Sequence, residues 1–222
     1  MFDLPPNISA ALTGFIAAIL LSIPVGPINL TIMNEGARRG FNWAAMIAAG
    51  AVIAELIYCT LAFTGFASFF EKGYIKAAME LLSFVFMIFL GVKFVLAKSI
   101  DTSPKLEQKI EEHLHPKNAF MIGFVRVIGN PGVLLFWIIL AANFISREWV
   151  QPDWPGKLSC VAGVTAGSAV WFVGLSYLVS RGHRRLSEKT LLRMEHGSGI
   201  GLLVLAAAHG SHIVWQMAHH RI

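Results

Sequence analysis

Charge is scarce in this chain: Asp, Glu, Lys and Arg make up 14% of its 222 residues against 55% that are hydrophobic, and the mean hydropathy is +0.63. A soluble domain carries roughly 25% charged residues, so a water-surrounded globule is excluded and an integral membrane protein is expected. Cysteine is nearly absent. Cys59 and Cys160 both fall within apolar runs and form no CxxC pair, which excludes a disulfide framework and a thiol-redox motif and leaves them as small core residues. The signatures of enzymes are missing too: there is no GxSxG, no HExxH, no Walker loop, no dinucleotide fingerprint and no Cys/His zinc spacing. An enzyme is therefore not expected, nor a bound cofactor, and energy for any transport would come from an ion gradient. No basic segment precedes the first apolar run, which reads as a retained helix and not as a cleaved signal.

What is present is a series of apolar runs near 8–32, 43–66, 77–97, 119–145, 158–180 and 198–218. Each is long enough for the roughly 20 residues that a bilayer core requires. The fold class expected is all-α, a polytopic membrane protein of six transmembrane helices. The net charge of +5 does not signal nucleic acid, because the basic residues lie in the short connections, where they set orientation. Alternate connections hold Arg38, Arg39, Lys98, Lys105, Lys109, Lys117, Arg181, Arg184, Arg185, Lys189 and Arg193, and the others hold only Lys72, Lys76, Arg147, Lys157 and Arg221. The richer set faces the cytoplasm by the positive-inside rule, which puts both termini outside an inner (plasma) membrane.

Two runs are interrupted. Pro24 and Pro27 flank Gly26 in the first, and Gly129-Asn130-Pro131-Gly132 interrupts the fourth. Proline removes a backbone donor and obstructs the carbonyl one turn earlier, and backbone groups freed in hydrocarbon are tolerated only against protein or a polar cavity. Broken helices 1 and 4 are thus expected at matching places. Pro27 pairs with Pro131, Gly50 with Gly163 and Met79-Glu80 with Met194-Glu195, dividing the chain into repeats at 1–97 and 119–222 around a charged cytoplasmic linker at 98–118. Three crossings per half force the repeats into opposite orientations, an arrangement that places a binding site between them.

Buried ionisable groups cost on the order of 2.5–3.5 kcal/mol at mid-membrane, so Glu55, in the middle of the second run, is the leading candidate to bind a cation, a substrate ammonium or a coupling proton. The other reading is a protonated acid bonded within the bundle. Arg126, one turn before Asn130, is placed to bind a substrate carboxylate, to pair with Glu55 or to reach the membrane surface with its guanidinium. Asn29, Asn34 and Asn130 supply amides beside the breaks. His209, His212, Gln216 and His219 share a helical face that suits a transition metal, a proton relay or a polar outer end. Lys93 and Trp171 read as an interfacial anchor and a packing residue. The small-residue series Gly197, Gly199 and Gly201 suits helix contacts within one chain or in a homodimer.

Pro24-Val25-Gly26-Pro27-Ile28-Asn29, then Gly36-Ala37-Arg38-Arg39-Gly40, then Gly50 with Ala54-Glu55, together with Gly123-Phe124 and Asn130-Pro131, resemble the motifs of the LysE/RhtB family of amino-acid exporters. The resemblance implies a small inner-membrane exporter coupled to protons or a counter-ion. It also implies a substrate site between the repeats involving Pro24, Gly26, Pro27, Asn29, Glu55, Arg126, Asn130 and Pro131. Three readings follow: export of amino acids or similar small zwitterions, export of a divalent metal on Glu55 with His209 and His212, and a non-transporting scaffold whose 98–117 segment binds a cytoplasmic partner.

Overall fold

The computed structural model describes residues 5–23, 26–65, 73–98, 118–181 and 188–218. These form eight helices and no strand: α1 (Pro6–Ser22), α2 (Pro27–Arg39), α3 (Phe41–Gly65), α4 (Gly73–Val95), α5 (Ala119–Ile128), α6 (Pro131–Ser146), α7 (Trp154–Arg181) and α8 (Glu188–Ala218). Among them, α3 and α7 are each long and apolar enough to cross a membrane, and α5 with α6 forms a third such span bent by 63°. The linker segment at 99–117 lies outside the described residues, as does Pro24.

The prolines that interrupt the apolar runs open new helices. Pro27 and Pro131 each stand in the first turn, where a missing N–H is no loss and the fixed φ suits the helix. Gly40, at φ +84°, ends α2 and lets α3 start at the next residue. Connections read from charge are shorter than expected. Residues 35–39 continue α2, α7 begins at Trp154, and α8 begins at Glu188, ten residues before the sixth apolar run. Charged residues here fall within helices and do not mark their ends.

The two short broken helices pack across the chain. α1 lies along α7 and α5 along α3, α3 crosses α7, and α4 pairs with α8. α6 touches α3 and α4, and α1 touches α8, so that α1, α7, α3, α6, α4 and α8 follow one another round a ring. The core on α3 and α7 mixes small residues, among them Ala48, Ala51, Ala54, Cys160 and Ser168, with the fully buried rings of Phe63 and Phe172. Other large apolar residues are exposed, Ile8 and Leu12 on α1, Ile53, Ile57 and Leu61 on α3, and Val170, Val173 and Leu178 on α7, a surface that suits lipid.

Small side chains matter most at two crossings. A methyl group on Gly50 would meet the Phe120 carbonyl at 2.0 Å, and one on Gly123 would meet the Ile47 carbonyl at 1.9 Å. The other crossing obeys the same rule. A methyl on Gly163 would strike the Ala11 carbonyl at 2.0 Å, and one on Gly14 the Cys160 carbonyl at 2.2 Å. In all four cases the carbonyl belongs to the residue three positions before the partner glycine. Such approach is what lets membrane helices gain dispersion energy without a hydrophobic drive between them. Gly50→Ala and Gly123→Ala should each lower the melting temperature of the detergent-extracted protein, at or above the top of the usual ~1–3 kcal/mol range for overpacking. Gly174→Ala is the control, because nothing lies within 4 Å of its added methyl. Equal melting curves for all three would show that the backbones can separate freely.

Candidate functional site

Five residues past its crossing glycine, each long helix presents one polar group to the other. Ser168 Oγ of α7, with 0% exposure, donates a hydrogen bond to Glu55 Oε2 of α3. One turn further along, the same two faces carry aromatic donors. Tyr58 OH donates to the Ile128 carbonyl at the end of α5, and Trp171 Nε1 donates to Asn29 Oδ1 in the first turn of α2 at 3.2 Å. Spacings of three residues put Glu55 and Tyr58, and Ser168 and Trp171, on common helical faces. The Glu55–Ser168 contact is therefore flanked by two arms, one to each helix break.

At the first break, Asn29 is 3% exposed and its Nδ2 donates to the Ser22 carbonyl at 2.7 Å, which satisfies an acceptor freed at the end of α1. Gly26 is extended and its carbonyl accepts from Leu30 N–H at 3.2 Å. At the second break, Asn130 Oδ1 accepts from Gly132 N–H at 2.9 Å and caps α6. One asparagine thus serves a freed carbonyl and the other a freed N–H. Both groups of the Asn29 amide bond to protein.

Arg126 occupies the last turn of α5 and is half-buried. Lys93 is exposed in the last turn of α4. His209 and His212 stand on α8, but their side chains lie outside the described residues. Among the described residues no group of three His, Cys, Asp or Glu is placed to hold a metal. Two features escaped the sequence reading. Trp171 is a hydrogen-bonding arm and not merely a packing residue. Glu195 of α8 is a buried carboxylate, 7% exposed, although it stands beside a charged connection in the sequence.

A cavity of about 420 Å³ is lined by residues of α1, α4, α6 and α8. Ser9 and Thr13 of α1 and Asn143 and Arg147 of α6 and its C-cap mark one end, and Leu20 and Leu21 the other, next to the break. Glu55, Arg126, Asn29 and Asn130 are not in its wall. The candidate residues thus divide into a hydrogen-bonded set linking α3, α7 and the breaks, and a separate chamber.

Residues 19–210 match the family description "LysE type translocator". The chain is 23% identical over 199 residues to a Bacillus subtilis protein named "Putative amino acid efflux protein YcgF", covering 90% of this chain and 94% of that one. It is also 23% identical over 198 residues to "Chemotactic transduction protein ChpE" of Pseudomonas aeruginosa, covering 87% and 95% of the two chains. No solved structure matches.

Proposed function

The chain belongs to the LysE type translocator family and is a membrane transporter, not an enzyme, and from that premise we propose that it exports amino acids or similar small zwitterions across the inner membrane, driven by an ion gradient. The observation that carries the mechanism is the hydrogen bond of Glu55 to Ser168, with arms from the same faces to both helix breaks. A carboxyl group there gains or loses a proton at the contact between the long helices, so its ionisation bears on both breaks at once. Pro24, Gly26, Pro27 and Pro131 form the hinges in this reading, with Asn29 and Asn130 holding them. Arg126 serves the carboxylate during passage on the cytoplasmic side.

The same proposal takes the halves 1–97 and 119–222 as inverted repeats. Several correspondences support it. α1 lies on α7 as α5 lies on α3, α2 touches α7 as α6 touches α3, and the paired glycines approach carbonyls by one rule. Exchanging the halves maps the pair α1 and α6 onto the pair α5 and α2. α2 and α5 are in contact, whereas α1 and α6 face each other across the cavity. This difference between equivalent pairs is what alternating access needs: one gate closed while its counterpart is open. With the termini outside, the open gate is the outer one, and rocking the halves about the breaks exchanges the two.

Efflux from cells preloaded by feeding dipeptides tests the reading. Cells making the protein should lose one class of amino acid faster than control cells across a full panel, with cadmium and manganese followed alongside. Metal efflux alone would move the assignment to the divalent-cation reading, and no flux of either kind would favour the scaffold.

A further inference from the structure

We infer that the cavity between α1, α4, α6 and α8 is the chamber for an amino acid with an apolar side chain, held by its carboxylate on Arg147. The inference rests on the exporter reading and narrows it to a substrate class.

Arg147 supplies the charge. It caps α6, its guanidinium carbon stands 5.1 Å from the centre of the Trp149 ring, and Nε and Nη2 are shielded from solvent. A guanidinium fixed on an aromatic face keeps a planar fork in one orientation, the geometry that suits a carboxylate. Nearby groups suit the rest of an amino-acid head. Asn143, one turn earlier on α6, is 2% exposed and lines the same end of the cavity, and Ser9 and Thr13 face it from α1. Thr13 already donates its hydroxyl proton to the Ser9 carbonyl at 2.9 Å, which leaves its oxygen as an acceptor toward an ammonium group.

Beyond this end the wall is apolar. Ile16, Leu20, Phe86, Leu90, Phe136 and Leu202 continue it toward the break. No acid is present among the described lining residues and Arg147 is their one cation, so a basic side chain would lack a counter-charge and an acidic one a second cation. Burying either uncompensated is costly, while a branched aliphatic or aromatic side chain gains from every carbon it buries. The volume of about 420 Å³ lies within the roughly 300–1,000 Å³ range of small-molecule pockets.

The test uses the full-length protein in vesicles loaded with labelled leucine, together with equilibrium dialysis of leucine against the detergent-purified protein. For the wild type, leucine and phenylalanine should compete at least about tenfold better than glycine, lysine or glutamate. 3-Methylbutylamine, which is leucine without its carboxylate, should compete no better than glycine. Arg147→Gln should raise the half-saturating leucine concentration by about tenfold or more, the size of a lost charge-assisted hydrogen bond, and Arg147→Lys should recover part of the loss. The ligand series needs no variant and so stands even if the arginine variants misfold.

Preference for a charged amino acid, competition by the amine equal to that by leucine, or unchanged half-saturation in Arg147→Gln would each overturn the inference, yet leave export itself intact. Absence of flux for every amino acid would instead remove the exporter reading, and leucine binding in dialysis would then decide the chamber by itself. Co-purified phosphatidylglycerol released by Arg147→Gln, with leucine binding unaltered, would make the cavity a lipid site and overturn the assignment.

Discussion

Glu55→Gln should reduce efflux to the level of protein-free vesicles while the protein still inserts and extracts as a single species. Glutamine has the volume of glutamate and keeps a carbonyl oxygen that accepts from Ser168 Oγ, so the contact between α3 and α7 survives. What is lost is the ability to take up and release a proton. The melting temperature should stay level or rise, because a neutral amide costs less to bury than a carboxylate. Ser168→Ala separates bonding from titration: it removes the donor, leaves the carboxyl, and should slow export without ending it. Full export by the glutamine variant would leave Glu55 a structural acid, and loss of export together with collapse of the melting transition would assign it to folding.

Asn29→Ala is expected to have the second largest effect, on stability first and on transport through it. The side chain joins two elements: Nδ2 holds the Ser22 carbonyl at 2.7 Å and Oδ1 receives Trp171 Nε1 at 3.2 Å. Alanine leaves both partners without these bonds in a region with little water, at about 1–3 kcal/mol for each unsatisfied group. Trp171→Phe removes only the second bond. A double-mutant cycle should therefore give less than the sum of the two single losses, since the tryptophan bond is counted in both. Melting in detergent measures the cycle, and leucine half-saturation supplies the contrast. A variant that melts normally and loses only substrate affinity would assign Asn29 to substrate contact.

How much of this was legible in the sequence depended on what kind of signal each residue sends. Pro27, Pro131 and Glu55 announce themselves, since a missing backbone donor and a carboxyl in an apolar run have a cost wherever the helices pack. Gly50 and Gly163 were legible as a pair but not as contacts: neither reveals alone that its partner is a carbonyl on a broken helix of the other half. Ser168, Tyr58 and Trp171 are ordinary residues in an apolar run, and their roles arise only from the α3–α7 crossing, which periodicity does not encode. Arg147 was counted for orientation alone, because its place at the mouth of a cavity depends on α1 and α8, far away in the chain. Helix ends were misjudged for a simpler reason. Hydropathy follows apolar side chains, and α2 and α8 continue through charged sequence.

The exchange of partners, α1 on α7 and α5 on α3, also bears on how the molecule is made. Gly14 leaves the ribosome roughly 150 residues before Gly163, the residue it packs against, an interval on the order of 7–30 s at ordinary synthesis rates. Through that interval α1 has its groove unfilled, alongside a first half that has no partner for its longest contact. Insertion and folding are thereby separated in time, and a nascent chain halted after α4 would span lipid yet stay open to whatever chaperone or protease watches over unpaired membrane helices.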